Sequence, residues 1–168
     1  MKKLIVIMGI SGSGKSTVSE ALSKSLHLPY LDADDFHSKA NLMKMSSGIP
    51  LTDEDRWPWL ASIVEHILNA HRSEFILACS ALKQSYRDYL SQRLAITWVF
   101  LEVTEDEALS RLANRKPHYM QASLIQSQLA TLETPKTAIT INAKNKISVI
   151  INEIEVHIQK DWDHFHQN

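Results

Sequence analysis

The residues at 9–17, Gly9-Ile10-Ser11-Gly12-Ser13-Gly14-Lys15-Ser16-Thr17, have the types and spacing of an anion-binding loop. Glycines let backbone N–H groups converge on phosphate oxygens, where a Cβ would block the approach. Lys15 is spaced to reach β- and γ-phosphates, and the Ser16 hydroxyl to ligate Mg²⁺. Such a loop works only between a strand and a helix. The unbroken apolar run Leu4-Ile5-Val6-Ile7-Met8 before it reads as a parallel strand covered on both faces. After it, Val18, Ala21, Leu22 and Leu26 recur at helical spacing. With both flanks in place the motif is a P-loop, and the chain is expected to bind a nucleoside triphosphate.

Further along, Leu28-Pro29-Tyr30-Leu31 reads as a short strand ending at Asp32-Ala33-Asp34-Asp35. Carboxylates at that end lie on the edge where open α/β sheets bind ligands. Asp32 and Asp34 would share a face if the strand geometry persisted. An acidic turn or helix cap is the structural alternative. Residues 36–56 carry His37, Asn41, Lys44 and Arg56 without a long apolar period, as a short helix and loop serving as a substrate-binding segment or a solvated connector would. Lys83 and Arg87 open the helix expected after the apolar run 75–79, where cations oppose the helix dipole by ~0.3–1 kcal/mol each. An anion in front of that helix would reverse the preference; two solvated basic residues is the other reading. Arg111 lies in a later helix, and the basic interruption Arg115-Lys116-Pro117-His118-Tyr119-Met120 between two helical patterns suits a lid that closes over phosphates, or a surface turn.

The elements that must position these groups follow from periodicity. Helices are expected over 18–26, 57–70 (with Pro58 in the first turn), 80–90, 105–114, 123–132 and 147–162, and strands over 4–8, 28–31, 75–79, 96–103 and 138–142. This order is an α/β fold in three layers, α/β/α, with a five-stranded, mainly parallel sheet and a helical lid. Trp57 and Trp59 read as packing residues, and Cys79 as a small buried one. The 168 residues are expected to form one domain. A formal net charge of −1 gives no general attraction to nucleic acid or anionic membranes. A single cysteine excludes an internal disulfide and any multi-cysteine metal site. The first apolar run is too short for a signal segment and no window approaches a membrane span, which favours the cytoplasm.

The chain resembles the gluconate kinases over nearly its whole length. The resemblance is carried by G-I-S-G-S-G-K-S-T at 9–17, D-A-D-D-F-H at 32–37, N-L-M-K-M-S-S-G-I-P-L-T-D-E-D-R-W-P-W-L at 41–60, A-C-S-A-L-K-Q-S-Y-R-D at 78–88, R-K-P-H-Y-M at 115–120 and S-Q-L-A-T-L-E at 127–133. The first motif is widespread, whereas the long middle block and C-S-A-L-K-x-x-Y-R are specific. The resemblance implies a P-loop kinase fold and transfer of the γ-phosphoryl of ATP, with Mg²⁺, to the 6-hydroxyl of D-gluconate. It also implies a homodimer, a substrate segment at about 34–60 and a lid at about 115–122. Ala33 stands where the family has Gly in D-G-D, Ser38 where it has Pro, and Pro117 and Tyr119 interrupt the usual R-x-G-H-F. Proline fixes φ and removes a donor, so lid geometry departs from the family pattern.

On that footing Gly9 to Thr17, with Arg111 and Arg115, are the nucleotide-binding set, and Lys15, Asp34 and Arg115 the catalytic one. Ser16 and Asp32 are the metal candidates. A polyol acid offers a carboxylate and hydroxyls, so Arg56, Lys83 and Arg87 are expected to meet it, with His37 orienting the hydroxyls beside Asp34. Asp34 is the expected base; Asp35 is its competitor, projecting differently and able to cap the following helix. Shikimate kinases and nucleoside monophosphate kinases share the loop and lid but not the middle block. A GTP-driven switch would share the loop, yet no N-K-x-D guanine signal occurs near the late strands.

Overall fold

A computed structural model describes residues 1–113 and 122–165. Five strands, β1 (Lys3–Met8), β2 (Tyr30–Asp32), β3 (Glu74–Ala78), β4 (Ala95–Glu102) and β5 (Ile139–Asn142), form one sheet in the order β2-β3-β1-β4-β5. Every pairing is parallel, with Lys3 opposite Glu74 on one side and Ala95 on the other. The helices are α1 (Lys15–Leu26), α2 (Lys39–Ser46), α3 (Asp53–Asn69), α4 (Gln84–Ser91), α5 (Glu105–Ala113), α6 (Ala122–Thr131) and α7 (Ile147–Phe165).

The central position of β1 explains its unbroken apolar run. Successive side chains point to opposite faces, and both faces are covered. Leu4, Val6 and Met8 pack with Leu60, Ile63 and Ile67 of α3 and Tyr86 and Leu90 of α4. Ile5 and Ile7 pack with Val18 and Leu22 of α1 and Ile150 and Ile154 of α7. The strand therefore emerges from the middle of three layers, and the loop after it opens at the sheet's C-terminal edge. Among the described residues no helix is long and apolar enough to cross a membrane.

Three elements differ from the sequence expectation, one of them α4, which begins at Gln84 with Lys83 as its N-cap residue instead of at residue 80. The strand geometry does not persist from Asp32 to Asp34. It breaks into a 3-10 turn over Ala33–Phe36, for which the Asp32 side chain is the cap, accepting from the Asp34 backbone N–H at 3.0 Å. The two carboxylates are brought together by this turn and not by strand alternation. In addition, α3 begins at Asp53, one turn before the expected start. Thr52 caps it: its Oγ1 accepts from Asp55 N, and the Asp55 carboxylate accepts from Thr52 N, a reciprocal capping box. Pro58 is thus an interior proline. The early start places Asp53, Asp55 and Arg56 on ordered helix beside the sheet edge. Replacing Thr52 with Ala should lower stability by about 1 kcal/mol in denaturant unfolding, whereas Ser at this position should keep most of it.

Candidate functional site

The loop between β1 and α1 is built to leave donors open. Gly14 precedes α1 at φ 95° with no side-chain cap, and the first turn of α1 contains no acidic residue. The helix's positive end is therefore not answered by its own sequence. Gly12 stands at φ 80°, and a Cβ there would lie 2.7 Å from the Ala108 carbonyl, so this turn is pressed onto α5. Lys15 Nζ donates to Ile10 O at 2.9 Å. Ser11 N donates to Gln128 Oε1 at 2.7 Å, which ties the loop to α6. Arg111 donates from Nη1 to Gly12 O (3.2 Å) and Ser13 O (3.0 Å), and from Nη2 to Ala143 O (2.7 Å). It clamps the carbonyls of Gly12 and Ser13, while Ser13 N donates to Ile10 O at 3.2 Å, so the turn is held from inside the fold.

Two recesses share Gly14. One is lined by Lys15, Asp32, Asp34, His37, Arg56 and Leu82, and the other by Thr17, Arg111, Asn145, Lys146 and Ile147. In the first, Asp32 is a hub. Its Oδ2 accepts from Ser16 Oγ and from Tyr30 OH, each at 3.0 Å. The Tyr30 hydroxyl is pushed up to about 12, mainly by burial, with Asp32 adding to the rise against the Ser16 hydrogen bond, so it stays a donor. Asp34 opens to the cleft yet is crowded by protein. Burial raises its pKa, Asp32 adds to the rise and Lys15 offsets part of it.

His37 lies behind Asp34, with only 4% of its side chain exposed and Nε2 3.7 Å from Asp34 Oδ1. Its ring stacks on Trp59 at 4.6 Å and 12°, and Trp59 Nε1 donates to Ala33 O at 2.7 Å. Burial first, and Arg56 next, hold the His37 pKa down at about 4, against an opposing pull from Asp32. The imidazole is neutral near pH 7, so its approach to Asp34 is not an ion pair. Ala33 needs no positive φ, which is why an alanine serves where the family has glycine. Ser38 caps α2, its hydroxyl accepting from Asn41 N at 3.1 Å, a bond the family's proline could not make.

The three expected substrate cations separate. Arg56 lines the cleft, donates to Tyr86 OH at 3.2 Å, and has no carboxylate within ion-pair distance among the described residues. Lys83 is matched by Asp53, at 2.8 and 2.9 Å, and that pairing lowers the Asp53 pKa and raises that of Lys83. Tyr86 OH also donates to Asp53 Oδ1. Arg87 corrects the sequence expectation: it is 2% exposed and does not line the cleft. Its Nη1 donates to Ala81 O (2.8 Å) and Leu82 O (3.0 Å), and its Nη2 to Glu133 O (2.8 Å) and Gln84 Oε1 (2.9 Å). The anion facing α4 is likewise internal, since Glu133 Oε2 accepts from Gln84 N at 2.6 Å. Arg87 thereby holds a turn in which the fully buried Ala81 sits at φ 43°. Arg115 and the expected lid up to residue 121 lie outside the described residues. Asp53, Gln128 and Glu133 were not singled out from the sequence, because their partners are distant along the chain.

The family model described as "AAA domain" matches residues 5–129. A gluconokinase of Gluconobacter oxydans is 40% identical, over 95% of this chain and 93% of its own length. A thermoresistant gluconokinase of Escherichia coli is 38% identical, over 79% of this chain and 77% of its own. The crystal structure of a gluconokinase from Sinorhizobium meliloti superposes with a TM-score of 0.88 at 38% identity, covering 98% of this chain and 96% of that one.

Two measurements check these assignments. Arg87→Met should cost more than about 3 kcal/mol in unfolding experiments, because it strands several buried acceptors; an unchanged stability would return Arg87 to the ligand-binding set. His37, neutral in the fold with a pKa of about 4 against 6.5 ordinarily, takes up its proton more readily when unfolded. Stability should therefore fall as pH drops through that window, and His37→Gln should flatten this part of the stability–pH curve relative to the parent protein.

Proposed function

The chain belongs to the gluconokinase family, and from that membership we infer an ATP-dependent kinase that phosphorylates D-gluconate at its 6-hydroxyl, giving 6-phospho-D-gluconate and ADP. The observation that carries the reading at the level of residues is the meeting of the phosphate-binding loop with Asp34, His37 and Arg56 in one cleft. The recess beside Arg111, Asn145 and Lys146 suits the nucleoside, since it adjoins the phosphate-binding loop at Gly14 and contains none of the carboxylates of the acidic cleft.

In the reaction, the gluconate 6-hydroxyl oxygen forms a bond to the γ-phosphorus. The bond from that phosphorus to the β,γ-bridging oxygen breaks, and its electron pair leaves with ADP. The hydroxyl proton passes to the Asp34 carboxylate. In a loose transition state this transfer is late, so Asp34 chiefly aligns the hydroxyl before accepting its proton. Its raised affinity for a proton favours that step. Arg56 provides the cation for the substrate carboxylate, bidentate geometry being available to a guanidinium. Lys15 and the open N–H groups of α1 stabilise the phosphoryl oxygens. Arg115 is assigned the same task from the family pattern.

Ser16 Oγ and Asp32 Oδ2, 3.0 Å apart, are hard oxygen donors that fit Mg²⁺. No group of three or more His, Cys, Asp or Glu gathers among the described residues. Phosphate oxygens and water would therefore complete the shell, as is usual for this ion. When bound, the ion neutralises charge on the β- and γ-phosphates. The family resemblance further supports a cytoplasmic homodimer built from a single catalytic domain.

D-gluconate should exceed glucose in kcat/KM by at least about 10²-fold in a coupled ADP assay, because a neutral sugar leaves Arg56 without its counter-charge. Equal values would overturn the reading. Asp34→Asn should lower turnover by at least ~10² with little change in ATP affinity. Activity retained in Asp34→Asn but lost in Asp35→Asn would move the base one residue along.

A further inference from the structure

Asn41, in the first turn of α2, is 4% exposed and lies between two acceptors. Its Nδ2 donates to the Asp55 backbone carbonyl at 3.0 Å and faces His37 Nδ1 at 3.3 Å. A carbonyl can only accept, so Asp55 O dictates which end of the Asn41 amide is the nitrogen. The second hydrogen of that nitrogen then points at His37 Nδ1, which must present a lone pair. A neutral imidazole carries one N–H. With Nδ1 bare, the hydrogen resides on Nε2, the atom 3.7 Å from Asp34 Oδ1.

We propose that Asn41 is a positioning residue that locks His37 in its Nε2–H tautomer, so that the ring is a hydrogen-bond donor at the acceptor end of the cleft. The opposite tautomer would set Nδ1–H against the Asn41 amide hydrogens in a buried space, leaving donors unpaired. The frame behind Asn41 is rigid. Asp55 is held by Lys44 at 2.7 and 2.8 Å and by the Thr52 capping box. The ring is fixed in plane by Trp59. The charged groups around His37 are Asp34, Arg56 and Asp32, and a neutral donor meets the two carboxylates on one side without adding a cation next to Arg56.

The tautomer has a chemical consequence. Nε2–H can donate to a sugar-acid hydroxyl oxygen or to Asp34, but it cannot take up a hydroxyl proton. His37 is therefore excluded as the base, and a substrate hydroxyl bridging His37 and Asp34 is oriented unambiguously: oxygen towards the imidazole, hydrogen towards the carboxylate. This rests on the gluconokinase reading for the identity of the hydroxyl, but not for the tautomer.

The test is nitrogen-15 NMR of the histidine rings in the full-length protein at pH 7, with the His37 signals identified by their loss in His37→Gln. The expected spectrum has a pyridine-type Nδ1 and a pyrrole-type Nε2. Asn41→Asp, nearly isosteric but accepting only, should reverse the two. It should also raise the gluconate KM about tenfold, the equivalent of one lost hydrogen bond, while the ATP KM moves less than about twofold. A pyrrole-type Nδ1 in the unsubstituted protein overturns the proposal whether or not the variant folds. So does Asn41→Asp folding with an unchanged spectrum or unchanged gluconate KM. The expected tautomer in a protein that does not phosphorylate gluconate would uphold the role of Asn41 and overturn the substrate instead.

Discussion

An uncapped helix start is the constraint from which the rest of the site is built. Gly14 gives α1 no side-chain oxygen, and no acid follows in the first turn, so the positive end of the helix is not answered by a cap or by an acidic side chain of its own. A folded chain tolerates this only where water or an anion completes the bonding. The surroundings are consistent with an anion. Carbonyls of the same loop that would repel phosphate are turned away and occupied by Arg111. The tight turn at Gly12 is seated on Ala108, so the loop's shape is set by α5 as much as by its own glycines. The parallel sheet contributes by delivering β1 through its middle, where both faces are covered and the loop can emerge only at the C-terminal edge.

Charge is allocated with similar economy. Of the three cations expected from the sequence to meet the substrate, two are answered by the protein itself. Lys83 meets Asp53, and Arg87 meets a ring of carbonyls together with Gln84. The third, Arg56, donates to a phenolic oxygen and has no carboxylate within ion-pair distance among the described residues. The Arg87 node also joins two regions. Its acceptors lie in the turn that carries Leu82 to the cleft and in the segment just after α6, and α6 in turn holds Ser11 through Gln128. The stretch from α6 to Glu133 is thus tied at one end to the loop at 9–17 and at the other to the turn before α4.

Much of this was legible in the sequence where the signal is local. The loop at 9–17, the apolar strands and the order of elements depend on neighbours a few residues away, and they stand as expected apart from the earlier start of α3, the later start of α4 and the turn after Asp32. Pro58 misled because proline favours a first helical turn, while the stronger Thr52–Asp55 cap sits just upstream. For Lys83 and Arg87 at a helix start the sequence leaves two readings, an anion in front of the helix or two solvated cations, and the structure gives both residues internal partners. What the sequence could not say is where those partners are. Asp53 and Glu133 are far along the chain from α4, and a bound ligand and a distant side chain satisfy the same local pattern. Long-range pairing of buried charge is set by tertiary structure, which periodicity does not encode.

The same distinction explains why two departures from the family pattern are benign. Glycine matters where φ is positive or a Cβ would collide, and Ala33 meets neither condition: it is buried, in a 3-10 turn, with its carbonyl held by Trp59. Its methyl group adds to the core beneath the acidic turn. Proline before α2 would fix the chain's entry by restricting φ. Ser38 reaches the same end by hydrogen bonding, since its hydroxyl captures Asn41 N and so sets the first turn of α2. That turn is the one that aims the Asn41 side chain at His37. A change of residue type has therefore kept the positional requirement, which is that the helix begin at Lys39 with Asn41 directed inward. What the cleft demands at 33 and 38 is a backbone path, and more than one side chain supplies it.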